Sequence, residues 1–130
     1  MSWVDLSDPA VRERLSSAAV QVFSSVVCRW SLSDRCAASL LGLSFQSYSS
    51  DFYQPGYCCD QDKLTRISFL VGIFVALDAL HGRRLADLWV NLPNSNPLFG
   101  GRTPLQFMSA GGLSAFSVVR RLLDARVEGA

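Results

Sequence analysis

The apolar positions of this 130-residue chain recur at helical spacing almost from the start. In SDPAVRER, Ser7 or Asp8 can cap a helix, and Pro9 sits at the first helical position, where its missing N–H leaves nothing unsatisfied. Val11, Leu15, Ala18, Ala19, Val22, Phe23, Val26 and Trp30 then fall on one side, with Ser16, Ser17 and Ser24 opposite. This spacing predicts an amphipathic helix with its apolar face toward a core.

In residues 31–54, Ser33 can cap a short helix carrying Ala37, Leu40 and Leu41. Gly42 supplies a tight turn, and Ser44 can cap a second short helix beginning at Phe45. Two short helices joined in this way have the helix-turn-helix pattern, which also occurs in bundles that never touch DNA. Pro55 and Gly56 break the chain. Asp60 then caps a long helix running to about residue 80, closed by Gly82 just after His81. Leu64, Ile67, Leu70, Val71, Phe74, Val75 and Leu77 make it apolar around most of its circumference. Such a helix is either the centre of the fold or the seam of a dimer, with Leu64, Ile67, Leu70, Val71 and Phe74 as the seam positions.

RRLADLWVNL predicts a short helix with an Arg83–Asp87 surface pair. A loop follows, then a helix started by Thr103 and Pro104, the pair Gly111 and Gly112, and a last helix over LSAFSVVRRLLDAR. Nothing alternates with the period of a strand. The expected architecture is all-α, with a helix-turn-helix-like region over residues 1–59 and a central helix plus C-terminal region over residues 60–130, forming one compact unit.

Composition sharpens the functional reading. The chain is 49% apolar, at the upper edge of the usual range, and only 18% charged, against about 25% in typical domains. This surplus predicts an apolar surface that meets a partner. Net charge is +1 from 12 basic and 11 acidic residues, so no global field draws the chain to nucleic acid or membrane. Cys28, Cys36, Cys58 and Cys59 lack the paired spacing of a zinc site and read as reduced thiols in a cytosolic protein. The opening residues do not have the basic and apolar regions of a secretory signal. The longest apolar run, residues 67–77, is shorter than the roughly 18 residues a bilayer span needs. A soluble protein without a membrane partner is expected.

The chemical inventory argues against an enzyme. His81, the lone histidine, is read as a helix-terminal residue favoured by the dipole. No nucleophile elbow, phosphate loop or dinucleotide fingerprint occurs, so neither metal nor cofactor is expected. A DNA reader would present Gln46, Ser47 and Ser50 from its second short helix, with Arg29 and Arg35 as phosphate contacts. Yet no basic residue lies between Cys36 and Lys63, while Asp51, Asp60 and Asp62 make the stretch negative. Motif and charge therefore disagree.

The loop NPLFGGRTPLQFM is the strongest local signal. Asn96 and Pro97 predict a turn, Gly100 and Gly101 permit backbone geometries closed to other residues, and Thr103 with Pro104 starts a helix. Leu98, Phe99 and Arg102 are thereby held in one shape. Phe99 and Arg102 are of types enriched at protein interfaces, although Leu98 and Phe99 could equally tuck into the core.

From about residue 62 onward, in ALHG, LADLWVNL, NPLFGGRTPLQFM and VVRRLLDARVEG, the chain resembles the toxin-binding domain of Xre/MbcA/ParS-type antitoxins. The resemblance implies the antitoxin of a type II toxin–antitoxin system, typically dimeric, that blocks the active site of an NAD-consuming RES-domain toxin. In many relatives it also implies repression of the antitoxin's own operon through DNA binding. Trp89, Asn96, Pro97, Gly100, Gly101, Arg102, Thr103 and Pro104 match the family motif. Val119, Leu122, Arg126 and Gly129 match the C-terminal region expected near the toxin. The implied plug is a rigid loop and terminal helix that lose little entropy on binding, with the residues after Val119 dispensable for the fold.

Overall fold

A computed structural model describes residues 7–129; residues 1–6 and residue 130, at the ends of the two regions expected from sequence, lie outside the described residues. The chain forms α1 (Pro9–Arg29), α2 (Asp34–Leu41) and α3 (Phe45–Ser47), which runs into a π-wound turn over Tyr48–Phe52. After a break come α4 (Gln61–Trp89), a 3₁₀ turn (Pro97–Phe99) and α5 (Pro104–Gly129). No strand occurs among the described residues, and the fold is all-α.

The sequence caps work as predicted. Asp8 accepts from the Ala10 N–H, Ser33 from Cys36, Ser44 from Ser47 and Asp60 from Lys63. Gly42 ends α2 in the left-handed conformation. The stretch expected as a second regular helix differs: only its first turn is α, and the wider winding that follows buries Tyr48 and Phe52. The Phe52 ring meets Phe23 of α1 edge-on at 5.7 Å. Burial of these aromatics against α1 offsets the poorer π-helix geometry.

Helix α4 is the centre of the fold. Leu64, Ile67, Leu70, Ile73, Ala76 and Leu77 are buried, which selects the core reading over the seam reading for Leu64, Ile67 and Leu70. Phe74 is likewise engaged within the chain, beside Trp30 at 6.1 Å and beneath the Arg29 guanidinium at 4.5 Å. By length and composition α4 is also long and apolar enough to cross a membrane, a possibility that the 67–77 run alone did not reveal. Here its buried positions pack between α1 and α5.

Two glycines give the fold its path. At Gly82 (φ 75°, ψ 162°) and Gly112 (φ 62°, ψ −144°) the backbone leaves helical geometry, dividing α4 and α5 into two arms each. These conformations belong essentially to glycine. Beyond Gly112, Phe116 lies by Arg66, Arg120 by Gly72, and Val127 lines a cavity with Ala79. Residue numbers rise together, so this arm runs parallel to α4. Helix α1 does the same, with Leu15 near Leu64 and Arg29 near Asp78. The first arm of α5 runs the other way, from the Leu105 N–H bonded to the Val90 carbonyl toward Gly112 beside Arg66.

Three pattern-based expectations change. Ser16, expected on the polar side of α1, is buried; its hydroxyl donates to the Arg12 carbonyl at 2.7 Å and accepts from the Cys59 N–H at 2.8 Å. Leu15 and Val22, expected in the core, are exposed along a groove between α1 and α4. The Arg83–Asp87 pair does not form, because Asp87 accepts from Arg29 Nε at 2.8 and 3.0 Å.

Arg66 joins three elements: its Nε donates to Asp62 at 2.8 Å, its Nη1 donates to the Leu40 carbonyl at 3.1 Å, and its guanidinium lies over the Phe116 ring. Arg66→Met is expected to cost about 1.5–3 kcal/mol, as for loss of charge-assisted hydrogen bonds. Gly112→Ala is expected to cost about 1–3 kcal/mol through backbone strain. Urea unfolding followed by circular dichroism measures both.

Candidate functional site

The loop between α4 and α5 is held by its own hydrogen bonds. Asn94 Oδ1 accepts from the Asn96 N–H at 2.9 Å, and Asn96 Oδ1 accepts from Leu98 at 3.0 Å. The Arg102 N–H and Nε both donate to the Phe99 carbonyl, at 3.0 and 3.2 Å. Gly100 and Gly101 turn the chain between them at positive φ. Thr103 and Gln106 exchange bonds at 3.0 Å, the reciprocal cap that starts α5.

Beneath this loop Phe99 is fully buried, edge-on to Trp89 at 5.9 Å and to Phe107 at 5.3 Å. The Arg102 guanidinium rests over the Phe107 ring at 5.3 Å and lines a shallow crevice with Ala110, Ser114 and Val118. The loop is thus a rigid lip with an aromatic root.

The expected site residues separate into two sets. Pro97, Gly100, Gly101, Arg102, Arg126 and Gly129 are exposed, while Trp89, Asn96, Thr103 and Leu122 are partly so. Phe99, Pro104 and Val119 are buried. The last three are part of the packed interior and support the surface around them. Leu123 is also fully buried, so the part of α5 dispensable for the fold begins after Asp124 rather than after Val119. Residues 125–129 are all exposed.

The loop begins just past Val90, where the Asn91 side chain donates to the Trp30 carbonyl at 2.8 Å, and its Arg102 lies by Ser114 and Val118 at the start of the second arm of α5. The tail lies further along that arm, with Val127 lining a cavity with Ala79. Sequence reasoning missed a further exposed set: Arg83, Arg84, Leu85, Leu88 and Leu92 are all exposed. The three- and four-residue spacing of those leucines was the available signal.

The DNA-reading set is less coherent. Gln46 and Ser50 are exposed and Ser47 partly so. Arg29, however, is engaged by Asp87 and Asp78, and Arg35 stacks over Phe45 at 4.9 Å. No group of three or more metal-binding side chains occurs among the described residues. Burial pushes the thiols of Cys36 and Cys59 upward in pKa, so both are held protonated and poorly nucleophilic.

Residues 76–129, from the late first arm of α4 through the loop and α5, match the antitoxin Xre/MbcA/ParS C-terminal toxin-binding domain. The matched segment contains both glycine breaks, the lip and the tail, and the match supports an antitoxin role with a toxin as partner. Over 121 residues the chain is 29% identical to the uncharacterized protein y4oB of Sinorhizobium fredii (strain NBRC 101917 / NGR234), covering 92% of each. No solved structure matches the chain at a significant level.

Loop root and loop surface are expected to separate on mutation. Phe99→Ala is expected to cost about 3–5 kcal/mol, as for other buried phenylalanines. Arg102→Ala is expected to cost less, about 1–2 kcal/mol, through loss of its bond to the Phe99 carbonyl and its contact with Phe107. Thermal unfolding of the two variants checks this.

Proposed function

We propose that this protein is the antitoxin of a type II toxin–antitoxin pair and acts by binding rather than by catalysis. It occludes the active site of a RES-domain, NAD-consuming toxin in the cytosol. The carrying observation is that the toxin-binding family match covers an exposed lip and an exposed helical tail. Both are ordered before binding, so little conformational entropy remains to be lost. The RES assignment rests on the motif Asn96, Pro97, Gly100, Gly101, Arg102, Thr103 and Pro104.

The protein acts as a homodimer. With Leu64, Ile67 and Leu70 committed to the core, the seam is formed by the exposed Leu15, Val22 and Val75 together with the half-buried Val71. Val75 is 60% exposed, and Val75→Asp is expected to give a monomer by light scattering.

Co-expression with the product of the neighbouring gene is expected to yield a co-purifying complex and to relieve growth arrest. A chain ending at Asp124 is expected to remain within about 0.5 kcal/mol of parental stability, since only exposed residues are lost, and to fail to neutralise. Full protection by that shortened chain would overturn the plug.

A further inference from the structure

The break at Pro55 and Gly56 forms one wall of a cleft that the antitoxin reading does not use. Here the Tyr57 N–H donates to the Gln54 carbonyl at 3.1 Å, with Pro55 and then Gly56 (φ 83°) at the two central positions of the turn. Proline followed by a glycine at positive φ is the type II arrangement. The facing wall is α1, where Glu13, Ser17, Val20 and Gln21 fall along one side at helical spacing. Between this stripe and residues 53–58 lies a cleft of about 360 Å³, within the range of small-ligand sites, about 300–1,000 Å³. None of its lining residues belongs to the matched segment 76–129.

Two tyrosines of the turn wall are held from the core side. Fully buried Phe52 meets the Tyr53 ring edge-on at 5.0 Å and the Tyr57 ring at 5.3 Å. The Tyr53 hydroxyl also shares a hydrogen bond with that of Tyr48 at 2.6 Å. The polar groups of the cleft, by contrast, are unused: among the described residues, the Glu13 carboxylate and the side-chain amides of Gln21 and Gln54 have no partner. No basic residue lines the cleft, and the positions three and four away from Glu13 on α1 are Pro9, Ala10, Ser16 and Ser17. Arg12 donates to the Ser7 carbonyl at 3.0 Å. Burial above all pushes the Tyr57 hydroxyl up in pKa, and the nearby Asp60 and Asp51 carboxylates push it further, so the charge around this wall is negative.

We propose that this cleft binds a small organic cation of the alkylguanidinium class. The Glu13 carboxylate accepts from its planar fork of N–H groups, the amide oxygens of Gln21 and Gln54 accept from the remaining donors, and the tyrosine rings attract the delocalised charge. An anion would meet no cation in this cleft, and a metal ion would meet one carboxylate where several oxygen ligands are needed. A bound cation bridges α1 and the segment leading into α4, next to the bond between the Cys59 N–H and the Ser16 hydroxyl, and so stabilises that junction.

The test uses the full chain with butylguanidinium as the probe and butylurea as its uncharged counterpart, followed through backbone amide NMR shifts. Millimolar butylguanidinium is expected to move the signals of residues 13–21 and 53–58, and butylurea is expected to bind at least tenfold more weakly. Glu13→Gln and Tyr57→Leu, each checked for folding by circular dichroism, are expected to weaken butylguanidinium binding at least tenfold. Glu13 is exposed, so Glu13→Gln decides the matter even where Tyr57→Leu does not fold. Unmoved signals at these residues, equal binding of butylurea, or parental affinity in folded Glu13→Gln would each overturn the proposal.

Discussion

The fold depends on one guanidinium. Arg66 projects from α4 into the junction where α2 ends and α5 reverses, donating to the Leu40 carbonyl and to Asp62 while covering the face of Phe116. Gly42 and Gly112, the glycines of those two turns, both approach it; an added Cβ on Gly42 would lie 3.0 Å from its central carbon. The turn chemistry of two distant segments is therefore adjusted to one side chain. The Leu40 carbonyl belongs to the end of a helix, where acceptors lack helical partners and a cation is favoured.

From that junction the architecture follows as a return path. The first arm of α5 leads away from the loop, Gly112 turns the chain, and the second arm comes back along α4. The loop root is held by aromatic contacts and the tail by burial of Val119 and Leu123. The lip and the second arm of α5 are thus surfaces set by the core. Rigid display of this kind limits the entropy lost on association.

Features determined within a few residues were legible in the sequence. The caps at Asp8, Ser33, Ser44 and Asp60, the Gly42 turn, the break at Gly82 and the Thr103–Pro104 start all follow from local chemistry, and all are present. Features determined by a distant neighbour were not. Ser16 is buried because the Cys59 backbone needs an acceptor there, while Leu15 and Val22 remain in an open groove because no element covers them. Asp87 turns to Arg29 because packing brings α1 closer to it than its own helical neighbour. The motif singled out the loop but could not separate its root from its surface, since Phe99 and Arg102 look alike as contacts until the rings of Trp89 and Phe107 enclose one of them.

The parallel alignment of the second arm of α5 with α4 has a consequence for how such a chain can change. Phe116 and Arg120 lock this arm in rotational phase against Arg66 and Gly72. Inserting one residue between Gly112 and Leu123 would turn everything beyond it by about 100° about the helix axis. Beyond Asp124 no such lock exists, because residues 125–129 are exposed. Length and composition are free to drift there, one residue at a time, on a stem whose orientation is fixed. A lineage can vary that end without reopening its core.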